Sequence, residues 1–226
     1  MPAPNVDIVI VLDASGSMSP CFTAVSEHLD NLLRPMQNNS GRIRFGLVYH
    51  NVTGAHPSIG LLNGLSLRDL YSSTSSQQAF LTEDEETVRR ALREVEVSGN
   101  EDSLLGLDVA LDFPFGPLST TKRVVALLSD EPLEGGCSDL SRIPEVIEKL
   151  MARRVKLFMA LPDSNAAREL EQADGCEFEA VAGGSGLSAV DFARLFDQMG
   201  KSISASTLQQ AGADNYRRAL FGQDRW

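Results

Sequence analysis

The sequence predicts an α/β protein built on a doubly wound, mainly parallel sheet with helices on both faces. Three observations carry that prediction. Ile8-Val-Ile-Val-Leu12 is a continuous apolar, β-branched run, which suits a strand buried on both sides. Val124 to Leu128 repeats the pattern. Helical periodicities separate these and later apolar runs, as in Ile143, Val146, Ile147, Leu150 and Met151 at i, i+3, i+4, i+7 and i+8. Strands alternating with helices imply βαβ units, and right-handed crossovers then cover both faces of one sheet.

After the first strand, Ser19 is placed to cap a helix and Pro20 to open it, because the missing proline N–H costs nothing at the first helical position. Phe22, Val25, Leu29, Leu32, Leu33 and Met36 form its apolar stripe, and Pro35 should end it. Ile43 to Tyr49 reads as the second strand, followed by a short antiparallel strand around Ser58 to Leu62. Thr82-Glu-Asp-Glu85 has the spacing of a capping box before a helix carrying Val88, Ala91, Leu92 and Val95. A further helix begins near Ser103, carries Leu104, Leu107 and Leu111, and stops before Pro114. Val155 to Leu161 reads as a strand and Ser164 to Ala173 as a short helix ended by Gly175. Glu177 to Val181 reads as a sheet-edge strand. Ser188 to Asp191 has capping-box spacing before a last helix with Phe192, Phe196, Met199 and Ile203.

The chain has 226 residues, of which 42% are hydrophobic and 23% charged, so it can fill a core and disorder is not expected. Its formal charge of −11 repels phosphate backbones and anionic membrane surfaces, which argues against nucleic-acid and membrane partners. No apolar run approaches the ~20 residues that span a bilayer. The first residues lack a basic stretch and a signal-like apolar run, so the expected location is cytoplasmic. Cys21, Cys137 and Cys176 are widely spaced and are read as small buried hydrophobes, and the two glycosylation sequons, at Asn38 and Asn51, as chance.

In a doubly wound sheet, ligands sit beyond the carboxyl ends of the strands. The loop after the first strand reads Asp13-Ala-Ser15-Gly-Ser17-Met, with a carboxylate and two hydroxyls on alternate residues of a tight turn. These are hard oxygen donors, suited to Mg²⁺ or Mn²⁺ rather than zinc. Ser129-Asp130-Glu131-Pro132 follows the second fully buried strand. If the two strands are neighbours, Asp13 and Asp130 converge.

The Val-Leu-Asp13-Ala-Ser15-Gly-Ser17-Met segment resembles the opening of von Willebrand factor type A domains of the bacterial free-standing type. It matches the first motif of their metal-ion-dependent adhesion site, Asp-x-Ser-x-Ser. Leu-Leu-Ser-Asp130 resembles the later motif, in which an Asp closes strand four. The resemblance covers Asp7 to about Ala205. It implies a sheet order of 3-2-1-4-5-6 with strand three antiparallel. It also implies Mg²⁺, with Mn²⁺ or Ca²⁺ as substitutes, held by Ser15 and Ser17 directly and by Asp13 and Asp130 largely through water.

The family's middle motif is a Thr before the third helix, and this chain departs from it. Ser98-Gly-Asn-Glu101-Asp-Ser103 places Glu101 at the Thr position, while a shift of two residues offers Ser103. Asp13, Glu101 and Asp130 would set three charges against the ion's two, and Asp102, Glu131 and Glu134 lie close in sequence. Such a site favours water or a basic partner surface over an acidic ligand. The plainer reading gives Glu101 and Asp102 to the helix dipole.

Gly183-Gly-Ser-Gly186 is read as the turn before the last helix rather than a phosphate loop, and His28 and His50 as structural. The chain has no nucleophile elbow, Walker loop or dinucleotide fingerprint, so a non-enzymatic role is expected. The competing class is a Mg²⁺-dependent hydrolase acting through metal-activated water. Residues 1–205 are expected to form the domain. The tail 206–226, with Tyr216, Leu220, Phe221, Trp226 and three arginines, either folds back on that domain or serves as a docking arm. The resemblance implies an assembly or adaptor subunit of an intracellular stress or defence system, partnered with an AAA+ ATPase, kinase or phosphatase.

Overall fold

The structure, a computed structural model, describes residues 3–53, 56–72, 79–99, 102–134, 138–185 and 187–205. Six strands form one sheet: β1 (Asn5–Asp13), β2 (Ile43–Thr53), β3 (His56–Leu61), β4 (Thr121–Leu128), β5 (Val155–Leu161) and β6 (Cys176–Ala180). Their order is β3-β2-β1-β4-β5-β6, and only β3 runs antiparallel to its neighbour. The helices are α1 (Ser19–Leu33), α2 (Leu67–Leu70), α3 (Glu85–Glu94), α4 (Ser103–Ala110), α5 (Ile143–Arg153), α6 (Asn165–Glu171) and α7 (192–205).

Alternation along β1 divides the core into two layers. Ile8, Ile10 and Leu12 face α1, α3 and α7, meeting Leu29, Leu92 and Phe196. Val9 and Val11 face α4, α5 and α6, meeting Leu107, Val146 and Leu170. Because β1 lies between β2 and β4 and is covered on both faces, it reads as an unbroken apolar run. The switch of direction between its two neighbours opens a crevice at the carboxyl ends of β1 and β4.

Two close approaches set the positions of helices around that crevice. A Cβ on Gly106 of α4 would lie 2.4 Å from Cδ2 of His50 and 3.0 Å from Cγ1 of Val11. The missing side chain therefore lets α4 sit directly on β1 and β2. A Cβ on Gly200 would lie 2.4 Å from the Leu32 carbonyl, so α7 crosses α1 at backbone distance. At the opposite end of the sheet, buried Asp7 accepts two hydrogen bonds from Arg44, at 2.8 and 2.7 Å, and one from Gly116 N–H.

Three expected helix starts differ from the structure. A 3₁₀ turn, Gly16–Met18, runs straight into α1, so Ser19 already has helical angles and Met18 takes the cap position. Thr82 is held extended by two backbone bonds to Phe45, so Asp84 caps α3 instead, through Glu86 N–H. Ser188 lies within a turn, and the carboxylate of Asp191 accepts from Arg194 N–H at the start of α7. In each case a turn or bridge upstream delays or advances the first helical residue. Cys21 is buried as expected, whereas Cys176 opens edge strand β6 and is half-buried. Cys137, Gly186 and the tail 206–226 lie outside the described residues.

Candidate metal centre

β1 delivers Asp13 to the end of the sheet, where Ala14 N–H donates to the His50 carbonyl at 2.8 Å. Ser98 N–H in turn donates to the Ala14 carbonyl, at 2.8 Å, tying the segment after α3 to the same loop. The Asp13 carboxylate folds back on its own turn: Oδ1 accepts from Ser15 N–H at 2.6 Å and Oδ2 from Ser15 Oγ at 3.1 Å. Ser15 Oγ lies 3.1 Å from Ser17 Oγ, and Ser17 Oγ donates to Asp130 Oδ1 at 3.1 Å. Asp13, Ser15, Ser17 and Asp130 thus form one cluster across β1 and β4, which are neighbours in the sheet.

Asp13, Ser15 and Asp130 are buried, while Gly16 and Ser17 are exposed. The cluster therefore opens to solvent on the Ser17 side. The negative field beneath it is felt by Cys21 in α1. Burial first, and then the Asp13 and Asp130 carboxylates, push that thiol far above its ordinary range, leaving it neutral.

Ser129 belongs to the cluster as well. Ser129 Oγ lies 3.3 Å from Asp13 Oδ2 and accepts from Glu131 N–H at 3.1 Å. Its signal was its place directly before the carboxylate that ends β4. The glycine turn after β6 also takes part, since Gly184 N–H donates to the Asp130 carbonyl at 2.8 Å with φ at +73°. A left-handed φ favours glycine there.

The loop before α4 is only partly described. Glu101 lies outside the described residues, whereas Ser103 is the first residue of α4 and 2% exposed, and its hydroxyl has no hydrogen-bond partner among the described residues. Asp102 bonds within its own loop and across to Ser138. Its Oδ1 accepts from Leu105 N–H at 3.0 Å and from Ser138 Oγ at 3.1 Å, which makes it the cap of α4. Glu134 likewise caps the start of α6 through Ala166 N–H at 2.8 Å. Asp102 and Glu134 thus accept from N–H groups at helix N-termini, where the peptide dipoles favour carboxylates.

His50 is fully buried beside this loop. Its Nδ1 accepts from Asp102 N–H at 3.3 Å, and burial pushes its pKa down to about 3. It is therefore neutral, with the proton on Nε2 set by the Nδ1 contact.

Among the described residues, no group of three or more His, Cys, Asp and Glu side chains gathers as a metal set. The Asp13 cluster differs in kind, with two carboxylates and three hydroxyls as closely spaced oxygen donors. That donor chemistry suits a hard divalent cation and not zinc or copper.

A Rossmann-like α/β domain with polar loops gathered where its sheet reverses direction is the class defined by this fold and site. The chain belongs to the von Willebrand factor type A domain family, whose profile matches residues 7–180. The family is one of protein-interaction domains, often without enzymatic activity. Two solved structures share the fold at low identity. The SpRpn10 VWA domain superposes with a TM-score of 0.60 at 14% identity, over 88% of this chain and 98% of that one. A von Willebrand factor type A protein from Catenulispora acidiphila gives a TM-score of 0.56 at 15% identity, over 87% of this chain and 43% of that one. No curated protein matches the chain in sequence. No helix among the described residues is long and apolar enough to cross a membrane.

Proposed function

We propose that this domain binds a protein partner in a divalent-metal-dependent way, with the ion held by Asp13, Ser15, Ser17 and Asp130. The observation that carries the reading is the Ser17–Asp130 hydrogen bond, which brings donors from two neighbouring strand ends into one cluster. Mg²⁺ is the expected ion, and Mn²⁺ or Ca²⁺ suits the same oxygen donors. A bound ion would neutralise the two buried carboxylates and offer an open coordination position on the exposed Ser17 side.

Glu101 or Ser103 completes the set, and the choice decides the partner's chemistry. With Glu101, three carboxylates over-neutralise the ion and a basic partner surface is favoured. With Ser103, whose buried hydroxyl has no partner among the described residues, two carboxylates balance the ion and a partner's carboxylate can compete for it. The domain spans residues 1–205 and acts in the cytoplasm as an assembly or adaptor subunit of a multi-protein system. An AAA+ ATPase, a kinase or a phosphatase is the expected class of partner.

Affinity capture from the native host tests this reading, run with Mg²⁺, with chelator, and with Asp13→Ala as bait. One protein retained only by the wild type in Mg²⁺ is the expected result. A partner retained equally in all three would overturn metal dependence. Mg²⁺-dependent release of phosphate from phosphomonoesters would favour the hydrolase instead.

A further inference from the structure

β2 passes beside the Asp13 turn, and two of its residues grip the segment that leads into α4. His50 stands opposite Asp13 in the β1–β2 register. Its carbonyl accepts from Ala14 N–H at 2.8 Å, which fixes the start of the Asp13 turn. Its ring lies on the α4 side of the sheet, where Nδ1 accepts from Asp102 N–H at 3.3 Å. Asn51, the next residue, points to the opposite face and donates from Nδ2 to Ser98 Oγ at 3.3 Å. Ser98 N–H in turn reaches the Ala14 carbonyl.

Ser98 and Asp102 lie on the two sides of the loop before α4, and both are tied to β2. Through His50 they are tied to the Asp13 turn as well. Glu101 and Ser103, the two candidates for the middle donor, are the chain neighbours of Asp102. The bond from Asp102 N–H to His50 therefore sets the backbone beside either of them.

Packing alone does not account for an imidazole at this place. His50 is 1% exposed, and Nε2, which carries the proton because Nδ1 accepts, has no hydrogen-bond partner among the described residues. A buried donor left unpaired is costly, and an aliphatic side chain of similar volume would avoid that cost. What the imidazole supplies and an aliphatic group lacks is the Nδ1 lone pair aimed at Asp102 N–H. The ring is also held in place to do this, since a Cβ on Gly106 would lie only 2.4 Å from its Cδ2. Any larger residue at 106 would push the ring or α4 aside.

We propose that His50 is a positioning residue of the metal centre: its Nδ1 holds the loop before α4 against the Asp13 turn and so presents the middle donor to the ion. The proposal rests on the reading of the Asp13 cluster as a divalent-metal site, and adds to it a residue that does not touch the ion. Loss of a group that orients metal ligands in this way typically weakens affinity by roughly ten- to a hundredfold.

The test measures Mg²⁺ affinity by calorimetry, and Tm in chelator, on the full chain and on its His50→Leu, His50→Asn and Gly106→Ala variants. Leucine fills the space without an acceptor. Asparagine sets its side-chain carbonyl close to where Nδ1 stands but leaves part of the ring's volume empty. The expected result is a split between the two readouts. His50→Leu keeps or gains Tm while its affinity falls roughly tenfold or more. His50→Asn loses Tm while its affinity stays near that of the wild type. Gly106→Ala, which displaces the ring, should weaken Mg²⁺ binding as His50→Leu does, and it decides the matter if His50→Leu does not fold. Affinities that follow Tm across the folded variants overturn the proposal, because His50 then acts through packing alone. Full affinity in folded His50→Leu also overturns it and leaves the metal site standing. No Mg²⁺ binding by the wild type overturns both.

Discussion

Ser17 Oγ donates to Asp130 Oδ1 at 3.1 Å, joining residues 113 positions apart in the chain. The bond exists because β1 and β4 are parallel neighbours in register from Asn5–Thr121 to Leu12–Leu128. Each strand then presents its next polar residues at the same end of the sheet.

Mg²⁺ should stabilise the fold. Asp13 and Asp130 repel each other across the cluster, and an ion bound only by the native state relieves that repulsion. At a free concentration a hundred times its Kd, the ion adds about 2.7 kcal/mol. Thermal unfolding in chelator and in a Mg²⁺ series should show a steadily rising Tm, and a Tm indifferent to millimolar Mg²⁺ would count against a folded-state site.

Glu101→Thr and Ser103→Ala should separate the two readings of the middle position. If Glu101 faces the ion, Glu101→Thr weakens metal affinity while strengthening capture of a carboxylate ligand. If Ser103 does, Glu101→Thr leaves both unchanged and Ser103→Ala weakens metal binding. Calorimetry with Mg²⁺, then with a carboxylate peptide, reads both quantities.

Ser129→Ala removes a hydroxyl that lies 3.3 Å from Asp13 Oδ2. Its expected effect is about 1 kcal/mol on metal binding, the worth of one ordinary hydrogen bond, or roughly fivefold in Kd. A loss as complete as that of an aspartate variant would make Ser129 a direct ligand instead of a support.

Asp108 links α4 to α5 through Lys149 at 2.7 Å and Arg142 at 2.5 Å. Burial raises its pKa, but the bonds from Lys149 and Arg142 outweigh that and hold the carboxyl below the usual range. A folded pKa below the unfolded one means that the unfolded state binds more protons in acid. The stabilisation is therefore full at neutral pH and is lost as pH falls from ~4 through the folded value. Asp108→Asn should cost roughly 1–3 kcal/mol at pH 7. Its difference from wild type should shrink in urea titrations carried below pH 4.

Most of the sheet was legible because its strands are continuous apolar runs. Val155 to Leu161 is the same in sequence and structure, and Ile8 to Leu12 lengthens to Asn5–Asp13. The antiparallel strand near Ser58 was also found, at His56–Leu61. Helix starts were less legible, because Ser19, Thr82 and Ser188 have good capping chemistry in positions that upstream turns and bridges use differently. At the site, alternate spacing revealed Asp13, Ser15 and Ser17. The supporting contacts of Ser129 and Gly184 depend on strand adjacency and loop return, which no local pattern encodes. Asp102 and Glu134 show the converse, since carboxylates near a site in sequence can belong to helix N-termini in space.

The most direct test of the account is calorimetric titration of Mg²⁺ into the wild type and into Asp13→Ala, with circular dichroism confirming that both are folded. Asp13 contacts the backbone and hydroxyl of Ser15 and lies within reach of Ser129, so its loss removes a donor and dismantles the turn that presents the others. One saturable site in the wild type and no measurable binding in Asp13→Ala are expected. Equal binding by the two folded proteins would contradict it.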